Sequence, residues 1–358
     1  MRAFFHPEQH LHDPKQFMRV GRIADPTDLP SRTEALIGAL ARKGITPETP
    51  QDFGTAPALT IHKAHYLDFL ATAYERWVKL PNAGPEVLPN VSPYWNGSPD
   101  RDGRPPCRTS HIVAEAGYYL GDLAVPIGPH TWRSVLRSTH TATAAADAVI
   151  GGERFAYALC RPSGHHSRTD RATGFCYLNN SAIAAQRLRS RFGKVAILDV
   201  DAHHGDGTQE IFYRRSDVLT VSVHADPQIY YPFYIGYADE RGSGEGEGFN
   251  LNLPLEAGSG DKAFQAAVAR GLEAVADFGA EALVIALGYD SHQADPLSVL
   301  SVTTEGFAGI GRLVAAARRP LGRADLGLGE RRPGLFLGGP ALDAGFAGHG
   351  NLLPCWGS

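Results

Sequence analysis

Four short runs of the chain are apolar on both sides of the strand they would form. This constrains the fold more than any other feature. Phe155–Leu159, Val195–Leu198, Val218–Val223 and Ala282–Leu287 show no alternation of polar and apolar residues. A strand with one face in water alternates, whereas a strand buried on both faces, as in a parallel sheet, does not. Parallel neighbours need a crossover between them, and the intervening segments supply helices for it. Trp132–Ile150 and Ala182–Phe192 read as helices, the latter with Asn180 or Ser181 placed to cap it. Asp261–Phe278 is a third, with an acidic start. The alternation predicts an α/β fold, a parallel sheet covered by helices on both faces.

Composition narrows the class. The chain has 358 residues, 43% hydrophobic and 20% charged, enough to bury a large core. A net charge of -4 without a long basic run argues against nucleic-acid binding. Cys107, Cys160, Cys176 and Cys355 form no CxxC pair and suggest no disulfide framework. No apolar run is long enough for a bilayer, and Met1–Pro7 lacks the apolar core of a signal peptide. A cytoplasmic protein with no membrane partner is the expectation. Residues 80–110 hold Pro81, Pro85, Pro89, Pro93, Pro99, Pro105 and Pro106, which exclude regular structure. That segment is a surface loop, a lid or a dimer arm.

The residues that follow the buried strands carry the chemistry. After the first comes Cys160-Arg-Pro-Ser-Gly-His-His166, and after the second Asp199-Val-Asp-Ala-His-His-Gly-Asp-Gly207. The third ends Ser222-Val-His-Ala-Asp226 and the fourth Gly288-Tyr-Asp290. Ligands of open parallel sheets sit beyond the carboxyl ends of the strands, so four strands deliver His, Asp and Gly to one rim. In an extended strand end, Asp201 and His203 project to the same side and can reach one ion. Asp290 can complete three protein ligands and leave a position for water, the pattern of a catalytic rather than a structural site. An isolated Asp-x-His would instead read as a turn. His165 and His166 are adjacent, so their rings should diverge, giving two imidazoles at different depths of one cleft. Asp199 and Asp206 are the natural carboxylate partners for such rings. The plainer alternative is two structural histidines behind Pro162.

These residues resemble the histone deacetylase and acetylpolyamine amidohydrolase superfamily. The resemblance rests on Arg161–His166, Gly174-Phe-Cys-Tyr-Leu-Asn-Asn180, Asp199–Gly207 and Gly288–Asp290. Ile61–Leu70, Gly117–Tyr119, Gly236–Glu240 and Asp295–Ser298 look closer to the bacterial acetylpolyamine amidohydrolases than to the nuclear enzymes. It implies an arginase–deacetylase fold: one domain over 1–358, with a central parallel sheet of about eight strands. It implies zinc, with ferrous iron as the alternative, on Asp201, His203 and Asp290. His166, paired with Asp206, would be general base and acid. His165, paired with Asp199, would be the more buried imidazole and support the site electrostatically. Gly174, Phe175 and Tyr231 would line the substrate channel. Potassium would lie by Asp199, Asp201, His203 and Ser222. The implied substrate is a small cationic acetylated amine, and the implied assembly a homodimer. Asp122 lies near where the polyamine enzymes carry acidic substrate groups, though as an isolated carboxylate it reads as an exposed one.

The resemblance breaks at the C-terminus. The family carries an oxyanion-donating Tyr in a Gly-Gly-Tyr motif, whereas this chain has Gly338-Gly339-Pro340 and no Tyr after Tyr289. From Arg318 the tail is rich in Arg, Gly, Pro and Leu, and Leu335–Leu337 is a poor substitute for a β-branched strand. A change of reading frame would produce such a tail, and other-frame translation of the gene tests this. His349 reads as an exposed tail residue. Impaired turnover follows, because one lost oxyanion donor costs about 10²–10³ in kcat. Three rivals remain: a protein lysine deacetylase, a dimanganese ureohydrolase, and a metal-binding pseudoenzyme. The second lacks the additional Asp-x-Asp pairs that a second ion needs.

Overall fold

A strand buried on both faces must give its alternate side chains to two separate cores, and the predicted strands do so. The computed structural model describes residues 1–92, 104–317 and 334–338. Its elements run β1 (Arg2–Phe4), β2 (Phe17–Arg19), β3 (Arg22–Ala24), α1 (Pro30–Arg42), α2 (Ala56–Leu59), α3 (Ala64–Trp77), α4 (Ile112–Tyr119) and α5 (Thr131–Ile150). Then follow β4 (Phe155–Leu159), α6 (Asn180–Leu188), β5 (Val195–Asp199), α7 (Asp206–Phe212), β6 (Val218–Ala225) and β7 (Asn250–Leu255). The last are α8 (Asp261–Phe278), β8 (Ala282–Leu287), α9 (Thr304–Ala316) and β9 (Gly334–Gly338). In β5, Ala196 and Leu198 join the core beneath α8 and α9, while Val195 and Ile197 join the Ala-rich core against α5 and α6. β4 and β8 divide in the same way.

Among the described residues the main sheet has seven strands, fewer than the expected eight or so, in the order β1-β4-β9-β8-β5-β6-β7, all parallel. β2 and β3 form a separate antiparallel ribbon. From β5 the chain steps outward to β6 and β7, then returns to place β8 on the other side of β5. The direction of winding therefore reverses between β5 and β8. A crevice opens where loops leave adjacent strand ends in opposite directions. Asp201 follows β5 and Asp290 follows β8, one on each side of that reversal.

Two expectations are corrected. Gly334–Gly338 forms a strand between β4 and β8, although Leu335–Leu337 promised little. Open ladders on both sides outweigh weak β-propensity. The remaining tail residues, 318–333 and 339–358 with Pro340 and His349, lie outside the described residues. The cap of α6 is Asn179, whose side chain accepts the Ala182 N–H at 2.9 Å, rather than Asn180 or Ser181. The Asn180 amide is engaged elsewhere, donating to Ser138 Oγ and the Pro162 carbonyl. Of the proline-rich loop, 93–103 with Pro93 and Pro99 are outside the described residues. Val87 pairs with Ile127 through two backbone bonds. No described helix is long and apolar enough to cross a membrane.

Long-range bonds through buried side chains hold the loop after β4. His62 Nε2 accepts the Asn179 N–H at 2.9 Å, and the Asn179 amide donates to the Ser167 carbonyl and Thr208 Oγ1. The fully buried Arg161 guanidinium donates to Asp28 and to the Gln9 and His12 carbonyls. Burial pushes His12, His62 and His224 down to about 4. The folded chain therefore binds these protons less readily than the unfolded chain. Stability is intact above about 6.5, the ordinary imidazole value, and is lost as the pH falls toward 4. Urea midpoints at pH 7 and pH 5 check this. A loss of roughly 2 kcal/mol per histidine is expected by pH 5, and an unchanged or higher midpoint would contradict it.

Candidate active site

The loop leaving β5 bends rather than continuing extended. Asp201 Oδ1 accepts the His203 N–H at 2.8 Å, a local turn that sets carboxylate and imidazole side by side. The turn, and not strand alternation, is what brings the two side chains together. From β8, Asp290 Oδ1 accepts the Ala202 N–H at 2.8 Å, which locks the two loops together. His203 Nδ1 then lies 2.7 Å from Asp290 Oδ2 and 3.1 Å from Asp201 Oδ1. One ligand atom from each of the three residues falls within 4.8 Å of the others. Glycine is required at 288, because a Cβ there would sit 2.0 Å from Asp201 Oδ2. Tyr230 stacks on His203 with ring centroids 4.4 Å apart.

Electrostatics show what this arrangement favours. Burial lowers the His203 pKa, yet Asp290 and Asp201 outweigh it and hold the ring up at about 10. Burial opposes ionisation of Asp201 as well, but His165 and His203 keep its pKa below the usual carboxylate range. Burial and the neighbouring Asp201 push Asp290 up. The two carboxylates thus create a strong demand for positive charge at one point. Two carboxylate oxygens and one imidazole nitrogen are a fitting donor set for zinc or ferrous iron.

The two predicted imidazoles stand beside this cluster. Their centroids are 4.0 Å apart, so the rings do not diverge as adjacent extended side chains would. Each Nδ1 has its own carboxylate: Asp199 Oδ2 at 2.8 Å for His165, and Asp206 Oδ1 at 2.7 Å for His166. His165 is 8% exposed and His166 3%, so His166 is the more buried, contrary to the expectation. His165 borders a cavity lined by Ser163, Gly164, Asn180 and Gly288, which leaves it the more accessible ring. Burial lowers the His165 pKa, but Asp199 and Asp201 override it and raise it to about 9. His166 goes the other way: burial and the charge of His165 lower it in spite of Asp206. Arg168, unremarked in the sequence, donates to Asp206 Oδ2 at 3.0 Å and to Glu210 at 2.7 Å. It could have been suspected only as a cation two residues past the histidine pair.

Gly174 (φ +52°) and Phe175 (φ +64°) both adopt left-handed backbone. A Cβ on Gly174 would lie 2.4 Å from His166 Cδ2, so only glycine lets this loop approach the ring. Tyr231 meets His166 edge to face, centroids 5.0 Å apart. Phe175 packs on Phe17 of the β2–β3 ribbon. Ser222 lies opposite Asp199 in the β5–β6 register, and its hydroxyl bonds His224. Asp122 is not the free surface carboxylate expected. It is half-buried, and its oxygens accept the Ala124 N–H, the Gly174 N–H and the Tyr231 hydroxyl.

The reversal point of the parallel sheet thus gathers three side chains that could hold a metal ion and a carboxylate-backed histidine pair. The histone deacetylase domain matches residues 27–329, and the chain belongs to that family. An acetylpolyamine amidohydrolase of Burkholderia pseudomallei (strain 1710b) is 46% identical over 321 residues, 89% of this chain and 91% of the relative. Another, from Mycoplana ramosa, is 38% identical over 323 residues, 90% and 92% of the two chains. The crystal structure of acetylpolyamine aminohydrolase from Burkholderia pseudomallei matches with a TM-score of 0.86 at 43% identity. That match covers 95% of this chain and 93% of that one.

The packing at Gly288 yields a test. Gly288→Ala must displace the Asp201 carboxylate, and misplacing groups around a metal typically weakens binding by roughly 10–100-fold. Equilibrium dialysis against Zn²⁺ or Fe²⁺ should show that loss, while native affinity in the variant would show that Asp201 is not a ligand.

Proposed function

We propose that the chain is a zinc-dependent amidohydrolase that removes acetyl groups from N-acetylated amines, acetylpolyamines in particular. The observation that carries this is the convergence of Asp201, His203 and Asp290 beside a low-pKa imidazole, His166, that is backed by Asp206. Those three residues would hold zinc, or ferrous iron in its place. When bound, the ion supplies Lewis acidity that polarises the amide carbonyl and acidifies a water. The protein's own groups handle the protons. Asp206 accepts the Nδ1–H of His166 and so leaves Nε2 free as the base. His166 takes a proton from water as the new C–O bond forms, then delivers it to the amine nitrogen as the C–N bond breaks. His165, held charged by Asp199 and Asp201, stabilises negative charge developing nearby. Asp199, Asp201, His203 and Ser222 would hold potassium, whose charge would support the β5 loop. Gly174, Phe175 and Tyr231 would flank the acyl-amine chain.

The substrate reading draws on the relatives, which are acetylpolyamine amidohydrolases by name. A homodimer formed through the 80–110 loop and a cytoplasmic setting go with it. Zinc-loaded protein should hydrolyse acetylputrescine faster than an acetyl-lysine peptide, and the reverse ranking would favour a protein lysine deacetylase. His166→Ala should lower kcat by roughly 10²–10⁴-fold with metal content unchanged, the usual worth of a positioned acid–base group. One feature favours a second reading, a metal-binding protein with little turnover. Pro340 stands where the family's oxyanion-donating Tyr is expected. Pro340→Tyr should then raise kcat by roughly 10²–10³-fold, the worth of one such donor. One zinc per chain with no hydrolysis of either substrate, before and after that substitution, would decide for the binding protein.

A further inference from the structure

Asp122 ties three segments that are distant in sequence. Its Oδ1 accepts the Ala124 N–H at 2.9 Å, its own turn. Its Oδ2 accepts the Gly174 N–H at 2.9 Å and the Tyr231 hydroxyl at 2.8 Å. Those last two donors come from the two walls that stand against His166. On one side, the Cβ position of Gly174 lies 2.4 Å from His166 Cδ2. On the other, the Tyr231 ring meets the His166 face edge-on at 89°. The walls also touch each other, since the Gly174 Cβ position is 3.1 Å from Tyr231 Cε1. Tyr231 lies in a loop after β6, and the 173–176 turn is closed by its own bonds between Thr173 and Cys176 and tied to the His166 carbonyl by Thr173 Oγ1.

We propose that Asp122 is a positioning residue that sets the bore of the substrate channel: one carboxylate oxygen latches Gly174 to Tyr231 and admits only an unbranched chain beside His166. The inference rests on the amide-hydrolase reading for its substrate and deepens it by naming what decides substrate width. With three donors on its two oxygens, Asp122 has most of its acceptor capacity taken by the protein itself. In this role it acts by geometry, holding the two walls together. The phenol is half of the device. Phenylalanine at 231 would keep the ring and lose the bond, leaving the wall free to swing from His166. A shift of an ångström or less in a wall changes which alkyl widths fit, because discrimination between chains differing by one carbon is set by close packing alone.

The test compares two acetamides of equal charge: the N-acetyl derivative of a linear diamine, and the same molecule with a methyl branch beside the amide nitrogen. The kcat/KM ratio, linear over branched, is measured for zinc-loaded wild type, Tyr231→Phe, Asp122→Ala and the double variant. The wild-type ratio should be high, and each single variant should lower it by roughly tenfold, chiefly by lowering KM for the branched amide. Both bonds end on one oxygen, so the double variant should fall no further than Asp122→Ala. Ratios that stay at the wild-type value while both activities drop together would overturn the latch. So would a ratio that falls in Asp122→Ala but not in Tyr231→Phe. A neutral N-acetylalkylamine of the same width adds a control. If Asp122→Ala weakens only the cationic substrate and keeps the width ratio, Asp122 binds charge and the latch is wrong. If Asp122→Ala does not fold, Tyr231→Phe alone decides. If wild type hydrolyses neither amide, the hydrolase reading fails by itself. The latch is then judged by calorimetric binding of the same two amides, with the same ratios expected.

Discussion

Two carboxylates reach the same imidazole at the point where the sheet reverses its winding, and the rest of the site depends on them. Asp290 is buried and Asp201 half-buried, and each loses hydration that only donors or cations restore. The protein supplies part of the compensation through the Ala202 and His203 amides and the His203 ring. His165 adds positive charge 3.9 Å from Asp201. The fold creates this convergence cheaply, because β5 and β8 are neighbours whose loops leave in opposite directions.

The histidine pair shows how environment separates two chemically identical groups. His165 faces Asp199 and, more distantly, Asp201, and stays charged. That charge is then a reason why its neighbour stays neutral, since two imidazolium rings 4.0 Å apart repel. Neighbouring groups with opposed pKa shifts can divide acid, base and electrostatic tasks between them. Arg168 extends the arrangement outward. Its guanidinium, with the His166 hydrogen bond, keeps the buried Asp206 below the usual carboxylate range and so always ready to accept from His166.

The loop that carries both histidines has little regular structure of its own and is held from outside. Arg161 is anchored to the N-terminal segment through Asp28, Gln9 and His12. His62 reaches it through Asn179, and Thr173 Oγ1 donates to the His166 carbonyl. Buried networks of this kind rigidify a site because every member that moves leaves a partner unsatisfied.

Much of this was legible in residue order. The four doubly apolar strands and the Asp and His residues that follow them are local properties. They depend on side-chain period and on the chemistry of single residues, which a chain carries before it folds. The same local reasoning failed where neighbours decide. Gly334–Gly338 became a strand because it lay between two open ladders, and Asn179 rather than Asn180 capped α6 because its backbone is extended while Asn180 already lies in the first turn. Only the tertiary structure settled that Asp122 holds Gly174 and Tyr231, that Arg168 backs Asp206, and that Tyr230 stacks on His203. The Asp122–Tyr231 bond joins residues 109 positions apart. Such a bond leaves no periodic trace, because it arises from how strands are ordered in space and not from how residues are ordered along the chain.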